Sequence, residues 1–124
     1  MTTEPYDDSN VFAKILRGEI PNKTVYEDEH VLAFEDIQPQ APVHVLVIPK
    51  GPYKTMNEFS EQASDEEIVA WVRAIGKVAK ITETREDGHR LIVNTGENGV
   101  QDVPHLHIHL LGGRRLGRML QKPD

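Results

Sequence analysis

The chain contains no cysteine. Disulfides, thiolate metal sites and thiol redox chemistry are therefore excluded. It also lacks an excess of positive charge, carrying a formal net charge of −6. That argues against a non-specific nucleic-acid binder, whose affinity comes from neutralising phosphates with Lys and Arg. It leaves room for one nucleotide in a local pocket. No apolar run approaches membrane-spanning length. The residues before Val11 are polar and acidic, unlike a signal peptide, so a cytoplasmic protein is expected. Internal repeats and low-complexity tracts are absent too. What remains is ordinary globular material: 124 residues, 38% hydrophobic and 27% charged, enough for one domain with a real core.

Histidine and aliphatic residues alternate through His105-Leu106-His107-Ile108-His109-Leu110. A period of two predicts a β-strand, with Pro104 tolerated at its first residue and Gly112-Gly113 closing it. The three imidazoles then share one face, roughly 6.5–7 Å apart. Leu106, Ile108 and Leu110 share the other face, towards a core.

Asp8-Ser9-Asn10 offers N-caps for a short helix over Val11–Arg17, with Val11, Phe12, Ile15 and Leu16 on its buried face. Gly18 suits the left-handed position past its end, and Pro21 blocks continuation. Thr24–Glu27 and His30–Phe34 read as a hairpin around Asp28-Glu29. Two prolines fix the loop Asp36–Pro42. Val43–Ile48 is nearly all apolar, a strand buried on both faces, interrupted by His44. Ser64-Asp65-Glu66-Glu67 has capping-box spacing, and Ile68, Trp71, Val72, Ile75, Val78 and Ala79 recur at three and four. This predicts a long amphipathic helix. His89–Thr95 reads as a further strand, and a glycine-containing loop leads to the histidines. Hairpin-like spacings dominate, which predicts an antiparallel α+β domain with its helices on one face of the sheet. Residues 1–10 are expected to be a flexible N-terminus, 11–113 the domain and 114–124 a tail. His30 and His89 lie at polar segment edges and read as surface residues.

The histidine row admits three explanations. Imidazole is a common zinc ligand, but alternate strand positions place two ligands on one ion more easily than three, and no cysteine completes a site. A structural role leaves unexplained why one face of a core-like strand carries only imidazoles. Phosphoryl chemistry explains it: a neutral imidazole can attack phosphorus while its neighbours donate hydrogen bonds to the phosphate oxygens. The loop Asn94–Gln101, with Gly96 and Gly99, offers backbone N–H groups to an anion. His44, in an otherwise apolar strand, needs a buried partner, and a histidine of the row is the natural one.

His105-Leu106-His107-Ile108-His109-Leu110-Leu111 resembles the signature of the histidine triad (HIT) family. Phe12–Ile15 with Gly18–Pro21, Ala33–His44, Ile92–Gly96 and Leu110–Arg114 resemble its HINT branch, so the likeness runs from about Val11 to Arg114. The resemblance implies a HIT-like fold with an antiparallel sheet of about five strands, and a purine nucleoside phosphoramidase that needs no cofactor or metal. By position, His107 would attack the α-phosphorus and form a nucleotidyl-histidine. His109 would bind the phosphate. His105 would lie near the leaving group and orient His107 through its carbonyl, and His44 would join the network. Asp36 would accept the ribose hydroxyls. Phe12, Ile15, Phe34 and Ile37 would form a purine slot. Asn94 would position phosphate or ribose, and backbone groups of Val100 and Gln101 would contact the phosphate. The implied partners are an AMP- or GMP-type substrate and a second copy of the chain, paired through the long helix and a sheet edge, with the tail near the partner's site. No nucleic acid or membrane is implied. The rivals are a dinucleoside polyphosphate hydrolase and a nucleotide-binding scaffold with residual activity.

This sequence departs from the HINT pattern at three positions. Animal members carry serine where Asp102 stands; an aspartate there is a general acid if its pKa is raised, and favours cationic leaving groups if it is ionised. Val100 replaces glycine, and a β-branched residue resists positive φ, so the loop is expected to differ in shape. Pro104 replaces tyrosine.

Overall fold

The computed structural model describes residues 5–121. The elements run α1 (Val11–Leu16), β1 (Thr24–Glu27), β2 (Val31–Glu35), β3 (Val43–Pro49), α2 (Met56–Gln62), α3 (Asp65–Ile81), β4 (His89–Val93) and β5 (Ile108–Gly112). The strands form one antiparallel five-stranded sheet in the order β1-β2-β3-β5-β4, so the domain is α+β as its spacings predict.

β3 lies at the centre, and its residues alternate between two cores. Val45 and Val47 point to one side, where Val31, Ala33, Ile108 and Leu110 meet Trp71, Ala74 and Val78 of α3. Leu46 and Ile48 point to the other side, where they meet Leu32, Phe34 and Phe12 of α1. The helices therefore do not share a face, contrary to the pattern-based expectation. A strand apolar on both sides needs a cover on both, and α1 supplies the second. Val11, expected on the buried face of α1, is 40% exposed. Trp71 belongs to the core, its Nε1–H donating to Val47 O at 3.1 Å.

The caps act where the sequence places them. The Asn10 side chain accepts from Ala13 N at the start of α1. Ser64 and Glu67 close a reciprocal capping box at the start of α3. A second capping box, Thr55 with Glu58, begins α2, a helix the periodicity did not reveal. Phe59 is its one buried residue, so it shows no apolar stripe.

β5 begins at Ile108, four residues later than a strand opening at Pro104. Pro104 has no N–H for the ladder, His105 N bonds Val103 O at 2.9 Å, and Leu106 N reaches across to Tyr53 O at 2.8 Å. His105 and His107 thus precede the strand, and only His109 lies in it. The division into faces survives: Leu106 joins the α3-side core, while the rings of His105 and His107 pack edge-on to Phe12.

The loop before this segment is a closed turn. Val100 N bonds Glu97 O (3.1 Å), Gln101 N bonds Gly96 O (3.0 Å), and Asn94 Nδ2 donates to Gly99 O (2.7 Å). A Cβ on Gly99 would lie 2.4 Å from Thr95 O, so only glycine fits. Val100 takes φ = +58° despite its branched side chain, because the surrounding hydrogen bonds over-determine its backbone. Its side chain is exposed, so no packing offsets the strain. Replacing Val100 by Gly should stabilise the protein by about 1 kcal/mol: roughly 1–3 kcal/mol of left-handed strain is relieved, less the extra unfolded-state entropy of glycine. Thermal unfolding should show Tm rising by about 4 °C; an unchanged or lower Tm would show that the turn carries no such strain.

Candidate active site

The geometry around the histidines assigns a proton to each ring. His105 is fully buried. Its Nε2 lies 2.8 Å from Pro49 O, at the end of β3, so Nε2 carries the hydrogen. Its Nδ1 accepts from the Tyr6 hydroxyl at 2.5 Å. That hydroxyl in turn accepts from Asn10 Nδ2 at 3.0 Å, so the α1 cap also holds the tyrosine. Tyr6 falls in the segment expected to be loose, and local pattern gives no hint of its role. Its partner is ninety-nine residues away.

His107 donates from Nδ1 to the carbonyl of His105 at 2.8 Å. Its Nε2 therefore keeps a lone pair. That atom lies 3.8 Å from Asp102 Oδ1. On β3, His44 Nδ1 accepts from Gln40 N at 3.1 Å, which leaves the hydrogen on Nε2. His44 Nε2 is 2.9 Å from His109 Nδ1, and it donates. His109 must then carry its own hydrogen on Nε2. The register pairs Leu46 with His109, so His44 meets His109 on the diagonal of the antiparallel pair. Asp36 stands behind His44, with Oδ2 3.5 Å from Nε2 and Oδ1 accepting from Gln38 N at 2.8 Å. The His107 and His109 rings lie edge to face, 4.9 Å apart. One lone pair and one N–H donor thus sit side by side, which suits an acceptor atom bearing oxygens.

Burial disfavours the charged forms of His44, His105 and His109. The cost of desolvating a cation lowers the pKa of His105 and of His109 to about 4, with the His107 and His44 charges adding to the effect at His109. Desolvation also lowers His44, and Asp36 offsets part of the shift. Asp36, His44 and His109 present donor atoms within 4.8 Å of one another, a set that could take a divalent cation. In this arrangement His44 Nε2 and His109 Nδ1 are already engaged with each other.

A cavity of about 350 Å³ opens beside the rings, within the usual range for small-molecule sites. Phe12, Ile15, Phe34 and Ile37 border it on the apolar side, and Asp36, Asp102, His107 and His109 on the polar side. Ile37 is 94% exposed and forms a lip rather than a wall. Val11 and Leu46, which the pattern reads as core residues, also line it. His105 lies behind the cavity, and His44 borders an adjoining cleft with Asp36 and Ile37. Asn94, Val100 and Gln101 are not in the lining. The Asn94 amide and the N–H groups of Val100 and Gln101 serve the turn described above. The Gln101 side chain donates to Lys54 O and Val103 O. His30 is half-buried and His89 exposed, and neither lines the cavity.

A HIT domain model matches residues 17–116. The chain is 57% identical over 117 residues to a 13.2 kDa HIT-like protein of Azospirillum brasilense, covering 94% of this chain and 96% of that one. It is 45% identical over 113 residues to the purine nucleoside phosphoramidase of Escherichia coli K12, covering 91% and 94%. A HIT family hydrolase from Clostridium thermocellum superposes with a TM-score of 0.84 at 42% identity, covering 91% of this chain and 98% of that one. The chain belongs to the HIT family.

Neutral buried imidazoles make stability pH-dependent with a definite sign. Unfolded, each histidine takes up a proton near its ordinary pKa of 6.5; folded, His105 and His109 resist protonation down to about 4. The unfolded chain binds more protons between these values, so stability is full above 6.5 and falls as pH drops. The lowered carboxylates Asp7, Asp28, Glu58 and Glu67 contribute only near and below their ordinary values of 3.8–4.5. Urea midpoints should therefore already fall from pH 7 to pH 5; a flat profile across that window would mean that the imidazoles are hydrated rather than buried.

Proposed function

We propose that the chain hydrolyses purine nucleoside 5′-phosphoramidates through a covalent nucleotidyl-histidine on His107. The observation that carries this reading is the pairing of His107 Nε2, a lone pair fixed by the Nδ1–H bond to His105 O, with the Nε2–H donor of His109 beside it. In the first step Nε2 forms a bond to phosphorus and the P–N bond breaks. The amine leaves with the bond pair and takes a proton from water at the open mouth. The imidazolium formed on His107 keeps its Nδ1–H on the carbonyl, while His109 donates to a phosphate oxygen. In the second step water attacks phosphorus and gives up its proton to the hydroxide left by the first step, the P–His107 bond breaks with its electron pair returning to Nε2, and the nucleoside monophosphate is released. Phe12, Ile15 and Phe34 offer an apolar slot for the base, with Ile37 at its lip, and Asp36 has lone pairs for the ribose hydroxyls. Asn94, Val100 and Gln101 act indirectly, by shaping the turn that leads to Asp102. Similarity to the E. coli phosphoramidase supports the substrate class.

His107→Asn should lower turnover of adenosine 5′-phosphoramidate by about a thousandfold or more. Intact-mass analysis of the wild type during turnover should show one adenylyl adduct, absent from the variant. Full activity in the variant, or turnover without adduct on rapid quench, counts against covalent catalysis at His107.

A homodimer is part of the same reading. β4 is an edge strand, and an antiparallel edge can pair with its own copy about a two-fold axis. α3 presents Val69 and Val72, 49% and 59% exposed, as an unpartnered apolar stripe. Sedimentation equilibrium should give twice the chain mass for the wild type and the single-chain mass for Val72→Asp at micromolar concentration. A monomeric wild type would remove the dimer.

A further inference from the structure

The polar side of the site has a linear order. From one end it runs Asp36, His44, His109, His107, Asp102, with separations of 3.5 Å, 2.9 Å, 4.9 Å between ring centres, and 3.8 Å. The ends differ in setting. The Asp36 side chain is 21% exposed and fixed by Gln38 N, whereas the Asp102 side chain is 79% exposed. Among the described residues lining the cavity there is no lysine or arginine. This is unusual for a site that handles phosphate, since anion sites commonly supply a cation. Neutral donors line it instead: the imidazole N–H of His109 and the side-chain amides of Asn22 and Gln38. Asp102 Oδ1 approaches the atom that would attack phosphorus, and its field reaches His109 as well.

We propose that Asp102 is a specificity-determining residue that selects the charge of the leaving group. Its carboxylate favours phosphoramidates whose amine substituent carries a positive charge, and disfavours anionic leaving groups, polyphosphates included. This rests on the reaction proposed above. With the base in the apolar slot, ribose at the Asp36 end and phosphorus over His107, the group leaving phosphorus departs from Nε2 towards the exposed end of the row. Asp102 stands there as the one carboxylate within 4 Å of Nε2 among the described residues. Being exposed, it acts through water-like screening. A unit charge about 6 Å away then changes the rate roughly three- to tenfold, and the effect shrinks as salt shortens the screening length.

The test uses three adenosine 5′-phosphoramidates with the same five-carbon spacer. They are made from pentane-1,5-diamine, hexylamine and 6-aminohexanoate, which end in an ammonium, a methyl and a carboxylate. At low ionic strength kcat/KM should fall in that order, about three- to tenfold at each step. The spread should narrow in 0.5 M NaCl. In Asp102→Asn the cationic-to-anionic ratio should collapse towards one, and in Asp102→Glu the order should return. A wild type that turns over all three equally overturns the charge selection. A ratio that persists in Asp102→Asn overturns the assignment to this residue. If none of the three is turned over, the reaction itself is wrong and the leaving-group assignment falls with it, an outcome separate from the other two.

Discussion

His107 Nδ1 donates to the carbonyl of His105, and the rest of the site depends on that bond. It sets the tautomer of His107 and so decides which nitrogen has electrons to give. A carbonyl can do this only if it is itself immobile. His105 is immobile because both ring nitrogens are occupied, one by the end of β3 and the other by Tyr6, and because its ring packs against Phe12 and Tyr6. Tyr6 is held in turn by the side chain that caps α1. The N-terminal segment, the first helix and the central strand therefore converge on one peptide oxygen. Buried hydrogen-bond networks of this kind rigidify when every member is satisfied, and among the described residues no buried side-chain polar atom lacks a partner.

A second chain of bonds fixes the opposite polarity on His109. Gln40 N occupies His44 Nδ1, so His44 must donate from Nε2, and His109 must present its hydrogen on the far side. Burial makes the imidazolium forms of His44, His105 and His109 costly and holds their pKa values below that of a surface histidine. Donor and lone pair are thus set beside each other by backbone groups, without a charged residue between them. Such prearranged dipoles need little reorganisation when charge develops.

Much of this was legible in the residues. The alternation through 105–110 gave the division of faces, and the capping box with its three-and-four spacing gave α3. What escaped has physical causes. The strand start was misplaced because alternation reports faces, not ladder bonds, and the Pro104 segment alternates without pairing. α2 escaped because a helix with one buried residue has no stripe to detect, although Thr55 and Glu58 signal its start. The second-face helix was an inference available from β3 itself: an all-apolar strand demands cover on both sides. Tyr6 was beyond reach, since no local period marks a residue whose partner lies at the other end of the chain. The position of Asn94 and Gln101 as braces of a turn, away from the cavity lining, likewise depends on tertiary contacts that composition does not encode.

The central sheet separates two kinds of residue by the thickness of one backbone. Val45, Val47, Ile108 and Leu110 meet α3, while His44, Leu46 and His109 look the other way. Successive positions of one strand thus answer to different demands, and contacts across the sheet are few. For an engineer the molecule is two nearly separable design problems joined at the main chain. A library confined to odd-numbered β3 positions and the facing side of α3 can be repacked at constant volume to tune robustness. A library on the even-numbered positions rewrites the chemistry. Effects of the two should combine almost independently, because side chains on opposite faces share few partners.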